Sequence, residues 1–399
     1  MPVGRPEGKR QRRAMRDERN ARDQAKLRNG YTTGTCAAAC VRAAAGLLLS
    51  GRSEPVLRLV TPSGTAVFLS PETELMGAGA ACGRVRKDAG DDPDVTDGAE
   101  IRALVFKNPP ENKRFWYQDP AYPGLFLTGG RGVGLVTRPG LACPVGAPAI
   151  NPVPRQMIFA AAQAARREAG RPDCPLYLVI AVPAGAALAA KTFNPRLGIC
   201  GGISILGTSG IVKPMSEEAL VETIRLDVRV RVAAGKRYLA VVPGNYGTAF
   251  LWENAGLTEE ELIRCGNFFG DTVRILGEET IEGALVAGHI GKLVKVAGGV
   301  LNTHSRFGDR RMEILAGLAG EAGADERLRR LLLAQNTAEE AAETLQKAGA
   351  LDGTAALLAE RAAQALRAAG KIPVEVMVFS SRLGLLAETP GAREMMRRL

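Results

Sequence analysis

The run Arg237–Val242 reads as a continuous apolar strand that ends in Pro243-Gly244-Asn245-Tyr246-Gly247. A glycine-rich turn at the carboxyl end of a buried strand is where open α/β sheets bind ligands. Strand patterns at Val273–Leu276 and Ile372–Phe379 follow it, and an amphipathic helix is predicted over Ser216–Val232. Between those two strands an Ala/Leu/Glu-rich region, about 312–369, predicts two or three helices. Strands alternating with helices argue for an α/β layer in this half of the chain.

The stretch Gly288–Arg311, GHIGKLVKVAGGVLNTHSRFGDRR, holds both histidines of the 399 residues, His289 and His304. Its glycines leave backbone amides open to close approach. Lys292, Lys295, Arg306, Arg310 and Arg311 could gather anionic groups around an imidazole. Two readings stand side by side: an anion site with His304 moving a proton, or a plain helix GKLVKVAGG with solvated lysines followed by a loop.

Before residue 216 the signals are shorter. Asn29–Thr35, NGYTTGT, is a turn running into an alanine-rich helix, with Thr33 or Thr35 as the N-cap. Amides exposed at such a helix start would suit a carboxylate or phosphate, and capping alone is the other reading. Leu57–Val60 and Thr65–Leu69 flank Pro62-Ser63-Gly64 as a hairpin. Five carboxylates crowd into residues 87–97 before a strand at Glu100–Phe106, a spacing too irregular for an EF-hand. GLFLTGGRGVGLVTRPG, Gly124–Gly140, fits strand, glycine turn and strand, because its glycines lead into Leu-Val-Thr and not into a helix. A helix is expected from about Arg155 to Glu168 and a buried strand at Pro175–Ala181. Asn194–Val212 sets glycines and hydroxyls around a short apolar strand, so backbone must approach something closely there.

The formal charge of +10 needs dissecting before it names a partner. Residues 1–28 carry ten Lys/Arg against four Asp/Glu, so +6 sits there and +4 on the other 371. A basic stretch of this kind is expected to be disordered and solvated. Aromatics are 5% and not interleaved with the basic residues, which argues against a nucleic-acid surface. No apolar run approaches the ~18 residues of a membrane span, and the start has no apolar h-region. Seven scattered cysteines without C-x-x-C pairs point to reduced thiols in the cytoplasm, with no metal ligation.

GYTTGTCAAA at 30–39, KDAGDDPDVT at 87–96, AINPVPR at 149–155, NPRLGICGGISILGTSGIV at 194–212, PGNYG at 243–247 and GHIGKLVKVAGGVLNTHSR at 288–306 occur in this order. Together they resemble the cobalt-precorrin-5B C(1)-methyltransferase family of the oxygen-independent cobalamin route. The resemblance implies transfer of a methyl group from S-adenosylmethionine to ring carbon C-1 of an anionic cobalt-corrinoid, giving cobalt-precorrin-6A. It implies two domains of α/β and α+β class: a basic disordered tail at 1–28, an α+β domain at 29–235, and a Rossmann-like α/β domain at 236–399 with a helical segment at 312–369.

On that reading the cobalt belongs to the substrate and no metal is bound by the protein. His304 is the candidate proton carrier, its ordinary pKa lying near neutrality, with Asp91 second; His289 is set aside as a structural partner near a glycine turn. Gly244, Asn245, Tyr246 and Gly247, with Gly201, Gly202 and Thr208, are the candidate donor contacts. A polycarboxylate ring calls for arginine forks and lysine charges, so Arg138, Arg155, Arg196, Arg306, Lys213 and Lys292, with Thr32 and Thr33, are candidate substrate contacts. A cytoplasmic enzyme, with a homo-oligomer left open, is expected. A corrinoid carrier without catalysis and a basic nucleic-acid-binding protein are the competing readings.

Overall fold

The structure is a computed structural model that describes residues 27–111 and 115–399. The expected disordered tail lies, up to residue 26, outside the described residues. The chain is mixed α/β and divides into two compact units, one ending at Ser216 and one running Glu217–Leu399.

The first unit contains β1 (Gly30–Tyr31), α1 (Thr33–Ser50), β2 (Leu57–Val60), β3 (Ala66–Leu69), β4 (Glu72–Leu75), β5 (Ala80–Arg86), β6 (Glu100–Phe106), β7 (Leu125–Gly129) and β8 (Leu135–Val136). These are followed by α2 (Pro152–Glu168), β9 (Leu176–Ala181), α3 (Gly185–Ala189), β10 (Ile199–Cys200) and β11 (Ile211–Val212). Its main sheet has the order β4-β5-β6-β9-β7, antiparallel except where β7 runs parallel to β9. Strand β6 alternates half-buried and buried residues, so Ile101, Ala103 and Val105 join the core with α1 and α2.

Helix α1 lies very close to that sheet because its inner positions are small. A Cβ placed on Gly83 of β5 would sit 2.3 Å from the Cys40 carbonyl oxygen, so only glycine fits beneath the helix. The cap is Thr32 and not Thr33 or Thr35: Thr32 is extended, and its hydroxyl accepts the Thr35 N–H at 3.2 Å. Gly51 closes the other end in the left-handed region, φ 71°. By length and composition α1 could cross a membrane, which the count of apolar runs overlooked, yet it is mostly buried among the protein's own core residues. Helix α2 begins at Pro152, three residues earlier than expected, since prolines suit a first helical turn where no N–H bond is needed.

The second unit contains α4 (Glu217–Ala233), β12 (Tyr238–Val242), α5 (Asn245–Ala255), β13 (Leu262–Arg264), α6 (Phe269–Glu278), β14 (Gly283–His289) and α7 (Ile290–Ala297). After these come α8 (Arg311–Glu321), α9 (Glu326–Leu333), α10 (Ala338–Lys347), α11 (Leu351–Gly370), β15 (Val374–Ser380), β16 (Gly384–Glu388) and α12 (Ala392–Arg397). The sheet order is β13-β12-β14-β15-β16, the first four strands parallel and β16 antiparallel. Successive strand residues feed two cores. Leu239, Val241, Ala284, Val286, Val376 and Val378 pack with α4, α6, α7 and the helical region. Ala240, Val242, Leu285, Ala287, Met377 and Phe379 pack with α5 and α12 on the opposite face. Helix α4 shares the first of these cores through Ile224 and Val228.

Val273–Leu276, expected as a strand, lies inside α6. A four-residue apolar run fits either period. Here Phe269, Val273 and Leu276 form one buried helical face, and the polar Thr272 bonds back to the Phe268 carbonyl at 2.7 Å. The helical region resolves into four helices, two of them, α9 and α10, started by the side chains of Asp325 and Thr337.

Candidate active site

In the second unit the strand order reverses at β12, which has β13 on one side and β14 on the other. The helix leaving β12 packs on one face of the sheet and the helix leaving β14 on the other. Their connections therefore diverge at the carboxyl ends of these two strands, the position where open α/β sheets take ligands. Helix α5 starts one residue after Gly244. A Cβ on Gly247 would lie 2.9 Å from Val242 Cβ and 3.1 Å from the Ala287 carbonyl oxygen, so this glycine lets the helix start seat against both strands. Asn245 and Tyr246 face outward, Tyr246 at 72% exposure. The tyrosine ring lies 6.1 Å from that of His289.

His289 ends β14 and caps α7. Its Nδ1 accepts the Gly291 N–H at 3.1 Å, which puts the ring proton on Nε2, and Nε2–H donates to Glu339 of α10. The edge of the ring meets Phe379 of β15 at 5.8 Å. Glu339 also accepts from Ser380 Oγ at 2.5 Å and from the Ser381 N–H at 2.8 Å. Burial works to raise the Glu339 carboxyl, but these hydrogen bonds outweigh it and hold the group below its ordinary range. His289 is thus more than a residue near a turn: it ties the ends of β14 and β15 to α10.

The segment after α7 docks on the loop after β13. The Thr303 hydroxyl donates to Asn267 Oδ1 at 3.1 Å, and Thr303 N–H to the Asn267 carbonyl at 3.0 Å. Lys292 donates to the Gly266 carbonyl and to Asn267 Oδ1, both at 3.0 Å, and burial pushes its pKa down. Lys295 is buried and donates to the Thr303 carbonyl at 3.2 Å. Arg311 forks onto Asp309 at 2.7 and 2.6 Å, and holds that carboxyl down at about 2. Arg306 pairs with Glu217 and lies over the Phe307 ring at 4.7 Å. Most cations of this stretch therefore hold the protein itself together.

His304 is exposed. Its Nδ1 accepts the Arg306 N–H at 3.2 Å, so the edge it offers outward is Nε2–H, a donor. Nδ1 is occupied by that hydrogen bond, so acting as a base through it would require the cap to open.

In the first unit, Thr32 and Thr33 are buried. The Gly34 N–H donates to the Leu206 carbonyl at 3.1 Å, Thr33 Oγ1 accepts from the Leu206 N–H at 2.9 Å, and Thr35 Oγ1 donates to the Gly210 carbonyl at 2.7 Å. The amides expected to meet an anion at the start of α1 are instead closed by residues 204–210. The acidic loop is likewise satisfied internally. Arg28 donates to Asp88 at 2.9 Å and its N–H to exposed Asp91 at 2.5 Å, while Asp92 accepts the Met215 N–H at 2.9 Å. Lys87, its side chain 1% exposed, donates to Asp94 at 2.7 Å. Asp91 is thus tied to Arg28 on the surface of the first unit.

Gly202 is closed by protein, since a Cβ there would lie 2.2 Å from the Gly132 carbonyl oxygen; Gly201, φ 78°, and Thr208 are exposed. Arg138 is exposed, lies along Gly198 and donates to the Arg196 carbonyl at 3.3 Å. Arg196 lies beside the Phe193 ring, Arg155 sits 4.3 Å over the Tyr117 ring, and Lys213 is exposed. Burial pushes the Cys36 and Cys265 thiols up to about 12, so neither is a nucleophile at neutral pH. Among the described residues no cluster of His, Cys, Asp or Glu is placed to hold a metal.

The family model CbiD matches residues 20–214 and the model of the CbiD C-terminal domain matches 302–390. A protein of Alkaliphilus metalliredigens named cobalt-precorrin-5B C(1)-methyltransferase is 41% identical over 94% of this chain and 96% of its own. One of the same name from Moorella thermoacetica is 42% identical over 94% and 97%. The chain belongs to the CbiD family. A cobalamin biosynthesis protein (cbiD) of Archaeoglobus fulgidus, solved by crystallography, is 28% identical, covers 72% of this chain and 84% of its own, and superposes with a TM-score of 0.37.

The CbiD C-terminal match opens just before His304 and contains Glu339 and Ser380. Those last two were not picked out from the sequence. Glu339 is one glutamate among many on an Ala/Glu-rich helix, and only the meeting of α10 with β14 and β15 sets it apart. Ser380 carried one usable signal, a hydroxyl ending an otherwise apolar strand.

Proposed function

We propose that this CbiD-family protein methylates ring carbon C-1 of cobalt-precorrin-5B with S-adenosylmethionine, giving cobalt-precorrin-6A. The observation that carries the reading is the near full-length match, above 40% identity, to relatives named for that reaction. In the transfer the sulfonium–methyl bond breaks and its electron pair stays on sulfur. A ring-carbon electron pair forms the new bond, and the positive charge delivered is balanced by loss of a proton from the macrocycle. Since the donor already carries the reactive group, alignment supplies most of the acceleration, up to about 7–11 kcal/mol.

The second unit is read as a Rossmann-like domain, supported by its parallel strands, order reversal and two-sided helices. The donor is proposed to lie at the reversal against Gly244, Asn245, Tyr246 and Gly247, beside His289. Candidates for the ring carboxylates are, in the first unit, Arg138, Arg155, Arg196 and Lys213 and, in the second, Arg306, with His304 Nε2–H a further donor contact. Lys292, its ammonium already bound to Gly266 and Asn267, orders the loop behind that contact. Cobalt travels with the substrate, and a cytoplasmic location suits an intermediate of this kind. Incubating the protein with methyl-labelled S-adenosylmethionine and cobalt-precorrin-5B tests the reading: label and an absorbance change should move to the macrocycle together. Corrinoid binding without label transfer would instead favour a carrier.

A further inference from the structure

The five-stranded sheet of the first unit has one face against α1 and α2 and a second face of unusual make-up. In a sheet of mainly antiparallel strands with one face in the core, the other is ordinarily polar. Paired residues across the sheet share a face, so Cys82, Leu104 and Val179 line up on it, with Phe106 beside Tyr177 and Tyr177 beside Phe126. Leu104, Phe106, Phe126 and Tyr177 are only half-buried. Phe126 stacks on Tyr177 at 4.7 Å, and the Trp116 edge meets Tyr177 at 5.5 Å. Cys82, Leu104, Phe106 and Val179 of this face line a groove of ≈ 530 Å³, and the Phe126, Tyr177 and Trp116 rings continue the apolar surface beside it.

Three guanidiniums line that groove, Arg84, Arg102 and Arg131, against the one carboxylate of Glu74. Arg84 and Arg102 stand directly opposite one another in the β5–β6 pair, an arrangement that destabilises a sheet. Each is steadied from the rim: Arg84 by Glu74 at 2.9 Å and Glu72 at 3.5 Å, Arg102 by Glu100 at 2.5 Å. Exposed pairs of this sort contribute little, so an incoming carboxylate can replace the glutamates with small loss. Arg131 is exposed on the turn after β7.

We propose that this groove binds the corrinoid: an apolar edge of the ring lies on Leu104, Phe106 and Val179, and Arg84, Arg102 and Arg131 take its carboxylate arms. The proposal rests on the corrinoid-methyltransferase reading and gives its substrate a site in the first unit, with Arg84, Arg102 and Arg131 in place of Arg138, Arg155 and Arg196. A flat, apolar-bodied polyanion is the ligand that an apolar floor ringed by arginine forks selects.

The test uses the full chain carrying Trp252→Phe, which leaves Trp116 as the one tryptophan, and cobyrinic acid as the probe. Quenching of Trp116 gives the dissociation constant; equilibrium dialysis follows S-adenosylmethionine separately. Arg131→Glu and Arg102→Gln are each expected to weaken cobyrinic acid about tenfold or more, with donor binding, thermal midpoint and sedimentation unchanged. Unchanged cobyrinic acid binding in both variants would overturn the groove while leaving the methyltransferase reading intact. A change in sedimentation would show a face between copies and overturn it too. If the parent chain binds no corrinoid and methylates none, the functional reading fails and this site with it.

Discussion

His289 and Glu339 meet where the ends of two parallel strands face a helix: Nε2–H of the histidine donates to a carboxylate that also receives Ser380 Oγ and the Ser381 N–H. One side chain thereby joins β14, β15 and α10 beside the first turn of α5, which carries Tyr246. Glu339→Ala removes the acceptor of all three. It is expected to cost about 1–2 kcal/mol in urea denaturation, since the buried Ser380 hydroxyl and the half-buried His289 N–H lose their acceptor. With the His289 ring released, the apparent affinity for S-adenosylmethionine should fall. Unchanged stability and donor binding would show the cluster to be incidental.

Gly247 tests the seat of α5. Gly247→Ala puts a methyl 2.9 Å from Val242 Cβ and 3.1 Å from the Ala287 carbonyl. The helix start must shift, with an expected loss of about 1–3 kcal/mol and a raised KM for the donor. Gly256→Ala, at the φ 68° end of the same helix, strains the backbone without touching the loop. It should lower stability and leave that KM alone.

Lys87 and Asp94 give a prediction with a pH sign. Burial works to raise the Asp94 carboxyl, but the hydrogen bonds from Lys87 and Thr96 outweigh it and leave it below its ordinary 3.8. A depressed carboxyl stabilises above its unfolded value and loses that contribution as pH falls through the folded one. Asp94→Asn strands a buried ammonium and should cost about 3 kcal/mol at pH 7. Between pH 7 and pH 3 its stability should therefore fall less steeply than that of the parent. Parallel pH curves would contradict the pairing.

His304 offers a donor edge, and its variants separate two roles. His304→Ala should fold normally and lose turnover by about 10²-fold or less. His304→Gln keeps an N–H donor and should recover much of kcat. If the glutamine variant is as slow as the alanine, proton transfer and not hydrogen bonding is the task.

The strands Leu57–Val60 and Glu100–Phe106 were legible because period-two patterns and turn residues bounded them. Val273–Leu276 was misread because four apolar residues suit either period, and the Phe269 that decides the face lies outside the run. The glycine motifs announced close backbone approach, but not to what. Gly247 meets Val242 and Ala287, and Gly202 meets Gly132, so much of that closeness is the protein packing on itself. Glu339 lies fifty residues from His289 and was invisible without the sheet order that brings α10 to the end of β14. The apolar sheet face with Arg84 and Arg102 was hidden for the same reason, since cross-strand register has no local signature.

Single-turnover reaction with S-adenosylmethionine carrying a ¹³C methyl group and cobalt-precorrin-5B, read by NMR of the extracted product, tests the central claim most directly. One ¹³C methyl bonded to ring carbon C-1 for each S-adenosylhomocysteine formed is the predicted result. Donor left intact, or the label on any other atom, would contradict it.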